Sequence, residues 1–236
     1  LIAPYLIIGM FIVCVFVLVW ATGMPRHADD NHSIDFAPTM RRLAHNRLYR
    51  EGVVAQFFYV GVQIMCWTFI IQYGTRIFMA EGMAERDAEV LSQQYNIVAM
   101  VIFCVSRFVC TFFLQYVRSG VLLTILAIVG AMLTCGVIGY QDVRGMYCLV
   151  GVSACMSLMF PTIYGIALTG LGDDAKFGAA GLIMAILGGS VLPPVQAAVI
   201  DCETLFGMPA TNVSFVLPLF CFVVVAVYGF RTKRVG

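Results

Sequence analysis

Seven times along this chain an apolar stretch long enough to cross a bilayer alternates with a shorter polar segment. The stretches are Leu1 to about Gly23, Glu51 to Met79, about Val90 to Val117, Val121 to Tyr140, Val143 to Thr169, Phe177 to Ile200 and Val213 to Phe230. In hydrocarbon every backbone N–H and C=O must find its partner within the protein, so runs of this length predict membrane-spanning helices. Composition agrees, with 61% of the 236 residues hydrophobic and 11% charged, against about 25% charged in soluble domains. The fold class is therefore all-α integral membrane.

The pattern breaks once at length, over Met24 to about Arg50, which holds Pro25, Pro38, three histidines (His27, His32, His45) and Arg26, Arg41, Arg42, Arg47 and Arg50. This segment reads as an aqueous loop with a short amphipathic helix over Pro38 to Tyr49. Its histidines are spaced poorly for a metal and no cysteine accompanies them, so no metal site is predicted. The arginines and lysines orient the chain, because cytoplasmic loops carry the excess. One side receives Arg26, Arg41, Arg42, Arg47, Arg50, Arg118, Lys176, Arg231, Lys233 and Arg234, and the other only Arg76, Arg86 and Arg144. The long loop and the C-terminus are expected in the cytoplasm, with Leu1 outside. Leu1 is not Met, and it lies inside an apolar run with no basic segment before it, so the N-terminus reads as the cut end of a longer protein. A net charge of +1 without a basic block gives no reason to expect nucleic acid. The nine cysteines stand singly with no C-x-x-C pair and behave as small hydrophobes.

Polar groups inside the spans are the candidates for function. Gln56, Tyr59, Gln63 and Trp67 recur at i, i+3, i+7 and i+11, one face of the second span. An amide left unpaired in hydrocarbon costs several kcal/mol, so that face is expected to look into a bundle or a wet cavity, where the two glutamines either line a solute path or bond neighbouring helices. Amides beside aromatics suit a sugar, which offers C–H faces for stacking and hydroxyls for hydrogen bonding. Arg107 is the one basic residue deep in a span, on a face with Asn96, Met100 and Phe103. A gating or structural pairing with backbone carbonyls or a loop carboxylate is expected of it. Ser153, Ser157, Pro161, Thr162 and Tyr164 give the fifth span close packing and a bend at Pro161. Asp173 and Asp174 precede the sixth span and are expected to cap it or to pair with Arg118. Gly181, Gly188, Gly189, Pro193 and Pro194 make that sixth span a close-packing, flexible helix. No span contains a lysine, a central carboxylate, H-E-x-x-H or G-x-S-x-G, so neither a retinal protein nor a membrane hydrolase is indicated, and no enzyme is expected.

AQFFYVGVQIMCWTFIIQYG, then SRF in the third span, then SLMFPTIYGIALTGLGDDAKFGAAGLIMAILGGSVLPPV, together resemble the C-terminal half of the fucose permease family, the fucose–galactose–hexose branch of the major facilitator superfamily. The resemblance covers nearly all of Glu51 to Phe230. It implies a six-helix C-terminal bundle over residues 51–236. Residues 1–23 would then be the last helix of an absent N-terminal bundle, and residues 24–50 the cytoplasmic loop between the two. It further implies alternating-access import of a monosaccharide, L-fucose or a related hexose, across a bacterial inner membrane, with a proton as coupling ion and no other cofactor. The coupling acids would lie in the absent half. Gln56, Tyr59, Gln63 and Trp67 match the cavity-lining helix, with Asn96 and Tyr164 as further substrate contacts and Arg107, Asp173, Asp174 and Pro161 in structural or gating roles. Ser106 stands where the family has glycine, and Met159-Phe160 departs from the polar-aromatic pair sometimes found there. Two other readings are a complete seven-helix receptor, and a membrane assembly protein in which every polar residue is helix glue.

Overall fold

The structure, a computed structural model, describes residues 2–21, 36–114, 116–202, 204–205 and 207–233. The side chains of residues 2–5, 36, 37 and 173 lie outside that description, as do Pro25, Arg26, His27, His32 and Arg234. The chain forms two units, Leu1–Phe36 and Ala37–Gly236. In the first, α1 (Ile2–Ala21) is a helix of 20 residues, and its described side chains are exposed along its whole length.

The second unit begins at Ala37, inside α2 (Phe36–His45), and continues with α3 (Arg47–Ala80). The amphipathic helix expected to reach Tyr49 stops at His45. Asn46 leaves the helical conformation there and its side-chain oxygen accepts the Tyr49 N–H at 3.2 Å, which caps α3 instead. Next come α4 (Glu85–Phe113), α5 (Ser119–Gly139), α6 (Val143–Met156) and α7 (Met159–Leu168). After them lie α8 (Ala175–Met184), α9 (Gly188–Ile200), a small hairpin of β1 (Thr204–Leu205) and β2 (Met208–Pro209), then α10 (Ala210–Val213) and α11 (Val216–Thr232). Among the described residues, six helical segments have the length and hydropathy to cross a membrane.

Three of these six are not single helices. Pro161 has no N–H to give the Ser157 carbonyl and its ring crowds that turn. The expected bend accordingly becomes a break between α6 and α7 at Ser157 and Leu158, one turn before the proline. A 3₁₀ turn, Ala185–Leu187, joins α8 to α9, and Pro193 and Pro194 sit inside α9. The last span divides at Ser214 and Phe215.

The bundle is organised around α3, which packs against α4, α6, α7, α9 and α11, while α5 packs between α6 and α11. The α3 residues Ala55, Tyr59, Met65, Ile70 and Tyr73 are buried with Met146, Leu149 and Met156 of α6, Leu123 of α5 and Phe222 of α11. The α9 backbone lies directly on α3: a Cβ at Gly188 would run into the Phe57 carbonyl, so only glycine permits that approach.

Polar contacts tie both ends. At one end the Tyr73 hydroxyl donates to the Val137 and Tyr140 carbonyls, both at 3.0 Å, and the Asn212 amide donates to the same two oxygens at 3.0 Å. At the other, Arg42 holds Asp174 through Nε and Nη2, each at 2.8 Å. This corrects the expectation for Asp174, which pairs with Arg42 of α2 and not with Arg118, and makes no side-chain cap on α8. The 3₁₀ turn Gly172–Asp174 turns the carboxylate towards α2. The Arg42 hydrogen bonds hold the Asp174 carboxyl below the usual carboxylate range.

Candidate functional site

The four residues of the α3 stripe divide by depth. Gln56 and Tyr59 are fully buried, whereas Gln63 and Trp67, one and two turns further on, are half-buried. The Tyr59 hydroxyl donates to the Met156 carbonyl at 2.9 Å. Trp67 Nε1–H donates to Ser153 Oγ at 3.3 Å, and the Trp67 ring meets Phe103 of α4 edge-on at 5.0 Å. Both hydrogen bonds lead to the same place, the last turn of α6 ahead of its break.

Arg107 reaches that break from α4. Its guanidinium carbon sits 5.4 Å from the centre of the Phe103 ring and its Nε donates to the Ser157 carbonyl at 3.2 Å. That carbonyl is the one Pro161 deprives of a helical donor. Two adjacent carbonyls at the break, Met156 and Ser157, are thus taken up by Tyr59 of α3 and Arg107 of α4. On the far side of the break Tyr59 contacts Phe160 edge-on at 6.2 Å, and Phe160 stacks on Tyr164 at 6.4 Å with the rings 11° from parallel. The half-buried rings of Phe103, Trp67, Phe160 and Tyr164 thus give α3, α4 and α7 an aromatic and polar surface, with the fully buried Tyr59 packed against Phe160.

Several polar atoms on these helices and at the break are buried with no hydrogen-bond partner among the described residues: both amide atoms of Gln56, Asn96 Oδ1 and Ser157 Oγ. A buried unpaired amide or hydroxyl costs about 1–3 kcal/mol, so such groups are ordinarily met by water or by a ligand. Asn96 lies on α4 two turns before Phe103 and three before Arg107, on one helix face. Pro161 is exposed and lines a separate cleft of about 160 Å³ with Leu114, Ser119, Thr162, Gly165, Ile166 and Thr169. Asp174 belongs to the ion pair at the helix ends, and the Asp173 side chain lies outside the described residues. Sequence reasoning named the side chains and expected a backbone carbonyl or a loop carboxylate for Arg107, but it did not place the acceptors at Ser157 and Met156. The readable signal was the four-residue spacing from Ser157 to Pro161.

No protein-family model matches the chain. The L-fucose-proton symporter of Haemophilus influenzae is 47% identical over 98% of this chain and 53% of its own length. The L-fucose-proton symporter of Escherichia coli K12 is 31% identical over 98% of this chain and 51% of its own. A crystal structure of the major facilitator superfamily transporter FucP, in the outward conformation, superposes with a TM-score of 0.81 at 30% identity, over 98% of this chain and 54% of that one. The chain spans about half the length of each of these relatives. With the sequence match running along the whole chain and the backbone following that of FucP, the chain belongs to the fucose permease family of the major facilitator superfamily and corresponds to the C-terminal half of its members.

Proposed function

We propose that this chain is the C-terminal bundle of a monosaccharide–proton symporter that imports L-fucose or a related hexose by alternating access. The observation that carries this reading is the 47% identity to a protein named L-fucose-proton symporter along 98% of the chain. The aromatic and amide surface on α3, α4 and α7 supports it. In this reading Gln63 and Gln56 bond sugar hydroxyls, Trp67 and Tyr59 stack on the ring, and Asn96 and Tyr164 complete the contacts. Residues 1–23 are the last helix of an N-terminal bundle, residues 24–50 the loop between bundles, and residues 51–236 the second bundle. The second half of the cavity and the proton-coupling acids belong to that N-terminal bundle. Only 6% of the apolar window of α4 is buried, against 56% for α3, which leaves the α4 side open for such a partner. The arginine distribution supports a cytoplasmic loop and C-terminus, and the bacterial relatives support a bacterial inner membrane.

Rocking of the two halves about a midplane site would alternate its access. The break between α6 and α7 lies beside that site, held to α3 by Tyr59 and to α4 by Arg107. Counterflow of radiolabelled L-fucose into vesicles carrying the full-length protein tests the proposal, with wild type beside Gln63→Ala and galactose and glucose as competitors. Wild type is expected to take up fucose and Gln63→Ala to lose at least about tenfold, the worth of one hydrogen bond to a sugar hydroxyl. Normal uptake by Gln63→Ala would make that residue helix glue, and no fucose uptake by wild type would overturn the substrate.

A further inference from the structure

The α3 and α11 helices enclose a groove of about 300 Å³ at the end of the bundle where α2 lies, away from the aromatic surface. Arg50, Glu51, Val54, Val224, Val227, Tyr228 and Arg231 line it. Its composition is graded with depth. Arg50 and Arg231 stand in the first turn of α3 and the last turn of α11, while Val54, Val224 and Val227 lie one to two turns deeper along the same helices. The valines at 54 and 227 are half exposed, at 50% and 51%.

Charge at the rim is unbalanced. Glu51 is shared by Arg47 at 2.8 Å and Arg231 at 3.1 Å, so one carboxylate faces three guanidinium groups when Arg50 is included. Arg50 is exposed and has no ion pair among the described residues. Within the groove Tyr228 is 3% exposed, yet its hydroxyl has no hydrogen-bond partner among the described residues. A buried hydroxyl left unpaired is a donor awaiting an acceptor. Two arginines, a free hydroxyl and an apolar wall below them match a molecule with an anionic head and a hydrocarbon tail.

We propose that this groove binds an anionic phospholipid, with the phosphate between Arg50 and Arg231, the Tyr228 hydroxyl donating to it, and an acyl chain along Val54, Val224 and Val227. Guanidinium groups bind phosphate in bidentate fashion and hydrate weakly, so the headgroup is held by its charge and the tail by the valines. The lipid would bridge α3 and α11 and stiffen that end of the bundle.

The test uses the protein at its full natural length, purified in detergent and stripped of lipid. Its thermal unfolding midpoint is followed with dioleoylphosphatidylglycerol, dioleoylphosphatidylcholine or inorganic phosphate at equal phosphorus. Phosphatidylglycerol is expected to raise the midpoint by several degrees, as a ligand that favours the folded state does, and the other two by less than about one degree. Arg50→Gln is expected to remove at least half of that rise and Tyr228→Phe to reduce it. Neither variant breaks the Glu51 pairs, so both should fold, whereas Arg231→Gln would lose one. Equal shifts with the two lipids would overturn the proposal, as would full retention of the shift in both variants. A shift of equal size with inorganic phosphate would make the groove a small-anion site and overturn the lipid.

Discussion

Arg107 Nε lies 3.2 Å from the carbonyl of Ser157, the backbone acceptor at the end of α6 that Pro161 strips of its helical donor. The arginine thus repairs on one helix a hydrogen bond that a proline removed from another. A hydrogen bond to a charged donor is worth about 1.5–3 kcal/mol. In the full-length symporter proposed above, Arg107→Met is therefore expected to slow fucose counterflow about tenfold or more while the protein remains in the membrane. Arg107→Lys should recover little, because a lysine brings a point charge and not a planar fork. Counterflow beside quantified membrane levels checks this, and wild-type uptake by Arg107→Met would show that the Arg107–Ser157 hydrogen bond plays no part in transport.

Restoring the missing donor should have the opposite structural effect. Pro161→Ala returns an N–H in line with the Ser157 carbonyl, so α6 and α7 are expected to merge. The break would close and Arg107 would lose its acceptor. The expected outcome is a higher unfolding midpoint together with slower transport, measured on one preparation. A higher midpoint with unchanged transport would show that the break serves packing alone.

The contact of α9 with α3 predicts a contrast between two glycines. A Cβ at Gly188 meets the Phe57 backbone, which cannot move aside as a side chain would, whereas a Cβ at Gly165 meets nothing within 4 Å. Gly188→Ala is expected to cost about 1–3 kcal/mol. Gly165→Ala, in the helix interior, is expected to gain about 0.5–1 kcal/mol by lowering the entropy of the unfolded chain. Unfolding midpoints of the two variants check both signs.

The Arg42–Asp174 pair sets a pH dependence. Its folded carboxyl titrates below the unfolded value because Arg42 donates to both oxygens. The stabilisation is therefore fully present above the unfolded carboxylate range and is lost as pH falls through the lower folded value. Wild type and Asp174→Asn should differ in unfolding midpoint at neutral pH and converge in acid. A difference that persists in acid would place its origin elsewhere. The pair is well exposed, so the difference is expected to be small.

The membrane spans were legible in the sequence because hydrocarbon admits almost no other solution for long apolar runs. The family resemblance then named the architecture. Helical spacing likewise put Gln56, Tyr59, Gln63 and Trp67 on one face. Spacing does not say what a face meets, and here the upper half of the stripe is sealed in the bundle while Gln63 and Trp67 stay partly open. Nor did it tell which partner Asp174 would find, since Arg42 is brought to it only when α2 folds back over a chain separation of 132 residues.

Hydropathy and proline positions act locally, through the solvation and hydrogen bonding of a residue and its neighbours within a turn. They determined, from the sequence alone, where the chain crosses and where a helix has to break. Which side chain fills the gap at Ser157, which amides stay unpaired, and which arginines crowd a single carboxylate at Glu51 depend on helices packed from distant parts of the chain. Only the tertiary structure decided those, because a freed carbonyl or an uncompensated charge takes whatever donor the packing carries to it.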